Sequence, residues 1–181
     1  KIKYPKYLSK VKLVRNYPIY KLIKNVKPAD ENFEKPMVLY AGGLTEIRGI
    51  YELIEAVGIL KGKVELLLFG DWDDLNYESQ CKNSVGWKYV HFKGFKPLEE
   101  VYSYMKISNI GAAMLYPVLN HQTSYLIKSF EYMACGLPMI LSNFPAWKNF
   151  FRNYALFANP KSPSEISEKI EMLVDNKELS G

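Results

Sequence analysis

The sequence has few of the residues from which metal sites and disulfide frameworks are built: two cysteines, Cys81 and Cys135, and two histidines among 181 residues. The cysteines stand 54 positions apart with no Cys or His at ligand spacing beside either, so neither a zinc motif nor a disulfide scaffold is suggested, and a reducing compartment fits. No apolar run reaches the 18 residues of a membrane span, and no signal peptide opens the chain. It begins on Lys rather than Met, as an excised piece of a longer protein would. Acidic residues are missing ahead of Asp30, where nine Lys or Arg stand, whereas the remainder carries 15 basic and 19 acidic side chains. That asymmetry argues against nucleic acid as a partner, because such proteins spread a basic stripe over the folded body. The basic arm reads either as a solvated lead-in or as a face toward anionic lipid or a partner domain.

What is present is the composition of an ordinary globular core, 48% hydrophobic and 14% aromatic, with no low-complexity tract. Residues 1–36 read as a basic lead-in or interdomain linker with an edge strand at Val11–Val14, and residues 37–181 as one domain. From Met37 onward short apolar runs alternate with helical periodicity. "MVLYAGG", "KVELLLFGD", "WKYVHFKGF", "SNIGAAML" and "PMILS" are strands. "RGIYELIEAVGILKG", Leu75–Ser84, "PLEEVYSYMKI", "LIKSFEYMAC" and "SPSEISEKIEMLV" are helices, the last capped by Ser162 or Ser164. The alternation predicts an α/β fold: a Rossmann-like, doubly wound parallel sheet with helices on both faces. Ligands of such sheets bind beyond the carboxyl ends of the strands, at a topological switch point.

The loops after the strands therefore hold the candidate chemistry. Gly42 and Gly43 let the backbone approach a ligand, or simply make a turn. The helix after them is expected to offer free N–H groups to an anion. Arg48 and Lys128 each read as a cation in the first turn of a helix, where the macrodipole disfavours it by roughly 0.3–1 kcal/mol and a bound diphosphate would reverse the penalty. Glu131, three residues after Lys128 in a mostly apolar helix, has two acceptor oxygens suited to the vicinal hydroxyls of a ribose. The plainer alternative is an ion pair with Lys128. "DWDD", Asp71–Asp74, has the spacing of a cation site, but its ligand count is too small to expect a metal.

Four blocks in order, "YAGGLTEIRGIYELIEAV", "LLLFGD", "YVHFKGFKPLEEVYSYMKISNIGAAM" and "IKSFEYMACGLPMILSN", resemble the donor-binding, C-terminal half of GT-B glycosyltransferases. The resemblance is to retaining glycosyltransferase family 4, the glycosyl transferases group 1, and runs from about Val11 to Val174. It implies a UDP-, GDP- or ADP-sugar donor, no cofactor and no metal. Gly42 then matches the family's diphosphate-binding glycine, Gly43 falls where an Arg would stand, and Arg48 where a Lys would stand. Glu131 matches the second of the family's paired glutamates, which reaches the ribose. The first is replaced by Thr123, beside Ser124. Gly94, Phe95 and Lys96 would follow the nucleobase, with Gly70 and Asp71 near the same cleft, although Phe95 equally suits an ordinary surface loop. The family's N-terminal acceptor domain is absent from this chain, so the fragment is expected to bind nucleotide without turnover. The resemblance further implies a lipid-linked or saccharide acceptor, a cytoplasmic setting and peripheral contact at the inner face of the cell membrane. A GT-B sugar-nucleotide epimerase, a non-catalytic nucleotide-binding module and a flavodoxin-like regulatory domain are the rival readings.

Overall fold

The computed structural model describes residues 17–175, so the expected edge strand at Val11–Val14 lies outside the described residues. Six parallel strands form one sheet in the order β3-β2-β1-β4-β5-β6. They are β1 (Met37–Ala41), β2 (Glu65–Phe69), β3 (Val90–Gly94), β4 (Ile110–Ala113), β5 (Met139–Ser142) and β6 (Ala155–Ala158). The helices are α1 (Tyr20–Asn25), α2 (Ile50–Ile59), α3 (Leu75–Lys82), α4 (Leu98–Met105), α5 (Leu119–Thr123), α6 (Ile127–Ala134), α7 (Pro145–Phe151) and α8 (Pro163–Asp175). This is the expected Rossmann-like α/β fold.

Side-chain alternation along the strands divides the core in two. Val38 and Tyr40 of β1, Leu66 and Leu68 of β2, and Ile140 of β5 point to one face, where α2, α3 and α8 cover them. Leu39, Leu67, Phe69, Met139 and Leu141 point to the other, against α4, α6 and α7. Because both faces are buried, β1 is apolar at every position and shows no polar alternation. The chain winds outward from β1 to β3, crosses to β4 and winds outward again to β6, which makes the β1–β4 boundary the switch point.

Several elements depart from the sequence reading. Trp87–Tyr89, expected in the third strand, belong to a 3₁₀ turn over Val85–Tyr89, and the strand begins at Val90. The segment after β5 forms α7 and the edge strand β6, neither of which was expected. Pro145 opens α7 at a position where its missing N–H costs nothing, and Trp147 and Phe151, one turn apart, anchor it in the core. Part of the lead-in segment is folded onto the domain: α1 buries Ile23 completely, and Lys106 donates to the carbonyl of Val26 at 2.6 Å. Of the two candidate caps of α8, Ser162 acts, its Oγ accepting from the amide of Glu165 at 3.2 Å.

Candidate nucleotide-sugar site

Two adjoining hollows lie over the carboxyl ends of the strands, sharing Ala41, Gly42 and Lys128. The first, about 400 Å³, sits at the switch point and contains Gly42, Arg48, Ser124, Lys128 and Glu131. The second, about 410 Å³, lies toward β2 and β3 and contains Gly43, Gly70, Asp71, Phe95 and Lys96. The sequence-predicted residues are thus gathered along one bilobed cleft, with two exceptions. Gly94 does not line it; its carbonyl accepts from the amide of Gly70 at 2.9 Å and so holds the loop behind the wall. Thr123 closes α5, and its side chain lies outside the described residues.

The wall on the β1–β2 side is built by close backbone approach. Gly70 has φ 141°, and a Cβ there would fall 1.8 Å from the carbonyl oxygen of Gly42, so no other residue fits without moving one loop. The strand ladder continues past the strands, with the amide of Gly42 bonded to Phe69 at 3.0 Å and that of Leu44 to Asp71 at 2.9 Å. Tyr40 donates to the carbonyl of Gly43 at 3.0 Å, and burial pushes its phenol up, which keeps it a donor. The Arg48 guanidinium lies beside this turn: a Cβ on Gly42 would be 3.4 Å from its Nη1.

Arg48 and the start of α2 differ from expectation. Arg48 ends a 3₁₀ turn (Glu46–Arg48), and α2 begins only after Gly49, whose φ of 62° breaks the backbone there. It therefore stands ahead of the helix rather than in its first turn, and the dipole conflict inferred for it does not arise. Nor are the first amides of α2 all open to an anion, because Tyr77 Oη accepts from the amide of Tyr51 at 2.9 Å. Lys128 is where it was expected, in the first turn of α6, whose N-terminus at Leu126 has no side-chain cap.

Glu131 is 5% exposed, yet it lines the first lobe. The plainer reading of it, the ion pair, is realised. Lys128 Nζ lies 2.5 Å from its Oε2, forming the ion pair and leaving that oxygen without accessible surface, while the side chain lines the first lobe. Tyr102 of α4 donates to Oε1 at 3.1 Å. The phenol of Tyr102 is pushed up by burial and by the neighbouring carboxylate, so it stays protonated. In the second lobe Phe95 is 70% exposed at the rim, while Lys96 pairs with Glu100 at 2.9 Å. Asp74 of the "DWDD" stretch is a helix cap, accepting from the amides of Asn76 at 2.7 Å and Tyr77 at 2.9 Å. Among the described residues no three His, Cys, Asp or Glu side chains come together. Sequence reasoning missed other residues that line the first lobe, among them Tyr40, Leu115, His121, Tyr125 and Trp147, as well as Tyr102 behind it.

Residues 23–180 match the family described as glycosyl transferases group 1. The chain belongs to that family. No curated protein matches it by sequence. Among solved structures, this group 1 domain is similar to sucrose-phosphate synthase from Thermosynechococcus elongatus, with a TM-score of 0.75 and 19% identity over 98% of this chain and 47% of that one. It is also similar to Anabaena HepE in complex with UDP and glucose, with a TM-score of 0.65 and 18% identity over 81% and 40% of the two chains. A UDP-forming α,α-trehalose-phosphate synthase from Burkholderia xenovorans gives a TM-score of 0.66 and 15% identity over 86% and 41%. The group 1 domain therefore spans less than half the length of each of these proteins, and its fold is one half of the GT-B architecture. Among the described residues no helix is long and apolar enough to cross a membrane.

Proposed function

We propose that this chain is the donor-binding domain of a retaining glycosyltransferase that moves a sugar from a nucleoside diphosphate to an acceptor hydroxyl. The observation that carries the reading is the convergence of Lys128, Arg48 and the Gly42 turn on one cleft with Glu131 beside them. In this arrangement the diphosphate lies between the Gly42 turn and the uncapped start of α6, where the helix dipole and two cations meet it. Glu131 accepts from the ribose hydroxyls, and the base runs into the second lobe past Gly70 and Phe95. As the bond to the sugar breaks, negative charge grows on the departing diphosphate, so Arg48 and Lys128 stabilise the transition state more than the bound donor. The acceptor, lipid-linked or saccharide, is held by the protein's own N-terminal domain, at the cytoplasmic face of the membrane to which the basic lead-in is drawn, and the product is a bacterial cell-surface polysaccharide or glycolipid. HepE, with UDP and glucose bound, supports the choice of donor class.

Calorimetry of the chain against UDP, GDP and ADP tests this, repeated with Glu131→Ala and Arg48→Ala. Each substitution is expected to weaken binding of the preferred nucleotide by at least about 1 kcal/mol, the size of a charge-assisted hydrogen bond. Unchanged affinity in both variants would remove the site. A second reading, a nucleotide-binding module without catalysis, is favoured by Thr123 and Gly43 standing where the family has Glu and Arg. Sugar transfer by the full-length enzyme, abolished by Arg48→Ala, excludes it.

A further inference from the structure

Glu131 is held from two directions by groups of different kind. Lys128, on the same helix, is a flexible cation that borders both lobes, at the place where a diphosphate would draw it away. Tyr102, on α4, is a neutral donor, 5% exposed, and it borders neither lobe. A carboxylate on a helix has two or three soft torsions and keeps a single orientation only if something fixes it. Once the diphosphate engages Lys128, the bond from Tyr102 is what remains to hold the carboxylate plane.

We propose that Tyr102 is a positioning residue: through its hydrogen bond to Oε1 it turns the free lone pairs of Glu131 toward the cleft and thereby sets the preference for a ribose over a deoxyribose. This rests on the reading of Glu131 as the ribose acceptor. Tyr102 touches no part of the ligand and acts through Glu131 alone. Its buried phenol does not ionise at physiological pH, so the bond persists across the working range.

The test is calorimetry of the 181-residue chain with UDP and 2′-deoxy-UDP, with the GDP and ADP pairs in parallel, for the wild type, Tyr102→Phe, Glu131→Gln and the double variant. Tyr102→Phe removes one oxygen and keeps the ring, and thermal melting checks that the variant is folded. It is expected to lower affinity for the ribonucleotide about fivefold while leaving the deoxynucleotide within about twofold, so the ribo-to-deoxy ratio collapses. In the Glu131→Gln background the same change should leave that ratio where it was. A packing role would weaken both nucleotides alike and would overturn the proposal. If Glu131→Gln leaves the ratio unchanged, or no nucleotide binds, the ribose assignment itself fails. If Glu131→Gln collapses the ratio and Tyr102→Phe does not, only the role of Tyr102 fails. Should the phenylalanine variant not fold, 3-fluorotyrosine at position 102, a stronger donor on the same ring, is expected to raise the ratio instead, and a fall or no change refutes the idea.

Discussion

Lys128→Met isolates the electrostatics of the cleft. The Lys128 and Glu131 side chains are 18% and 7% exposed, with the two charged atoms 2.5 Å apart. Removing one member of a buried pair costs about 3–5 kcal/mol, because the other charge stays in a poorly solvating site. Two features lower that figure. Tyr102 still donates to Oε1, a bond worth about 1 kcal/mol, and with the ammonium that covers Oε2 gone, water from the lobe that Glu131 lines is expected to reach the carboxylate. The expected loss is therefore about 2 kcal/mol, with the methionine retaining the apolar contacts of the lysine stem. Glu131→Gln alone should cost about 1 kcal/mol, since the freed ammonium can turn toward solvent. The double variant leaves no charge behind and should be more stable than Lys128→Met alone. Urea denaturation at pH 7, with the coupling taken from the four proteins, gives the measurement. A Lys128→Met protein within about 0.5 kcal/mol of wild type, the scatter of ordinary surface substitutions, would mean that Glu131 is effectively solvated, and the argument for a specifically held carboxylate would fail.

Two further outcomes follow from other parts of the fold. Gly70→Ala is expected to destabilise the chain by at least about 2 kcal/mol and to weaken nucleotide binding, because the added methyl meets the Gly42 carbonyl at 1.8 Å and must displace the turn beside Arg48; a thermal melt and calorimetry unchanged from wild type would contradict that geometry. Glu31 accepts from Tyr104 at 2.7 Å and from Lys93 at 2.9 Å, and those bonds, that of Tyr104 first, hold its carboxyl below its ordinary value of 4.5. With the folded value depressed, its stabilisation is present above about pH 4.5 and is lost as pH falls through the folded value. Glu31→Gln should thus cost about 0.5–1 kcal/mol at pH 7, a figure reduced by solvent screening, and progressively less as pH falls below about 4.5, and a gap in urea that does not shrink on acidification would refute the assignment.

The parts of this molecule that could be read from its sequence are those written in local pattern. The apolar runs of β1, β2 and β4 and the stripes of α2, α6 and α8 are strong because each element is buried on a full face. Helix α1 escaped because only Ile23 of its six residues faces inward, which leaves no periodicity to detect. The pair Trp147 and Phe151 after Pro145 was a usable signal for α7, but the edge strand that follows is only four residues long and half exposed. Arg48 was misplaced because Gly49 reads as an ordinary helical position until its backbone angle is known. Asp74 stood in a plain capping position and was weighed instead as a cation ligand. In the site, Gly42, Gly43, Lys128 and Glu131 stood out from local pattern, and Gly70, Asp71, Phe95 and Lys96 were named from the family resemblance, whereas Tyr77 and Tyr102 were not legible: each acts on a residue 26 or 29 positions away, and no single sequence encodes which tyrosine will meet which partner.

The hydrogen bonds that lace the turns after β1, β2 and β3 together have a mechanical consequence. With Gly70 seated on Gly42, that side of the cleft behaves as a fixed jaw, since neither turn can yield without unzipping its neighbour. The opposing jaw, from Leu115 through α5 to Leu126, is made of a short exposed helix and connecting chain. Tolerance for bulkier or slimmer guests is therefore expected on that side, and relatives that differ in appetite are expected to differ there while keeping the fixed jaw alike.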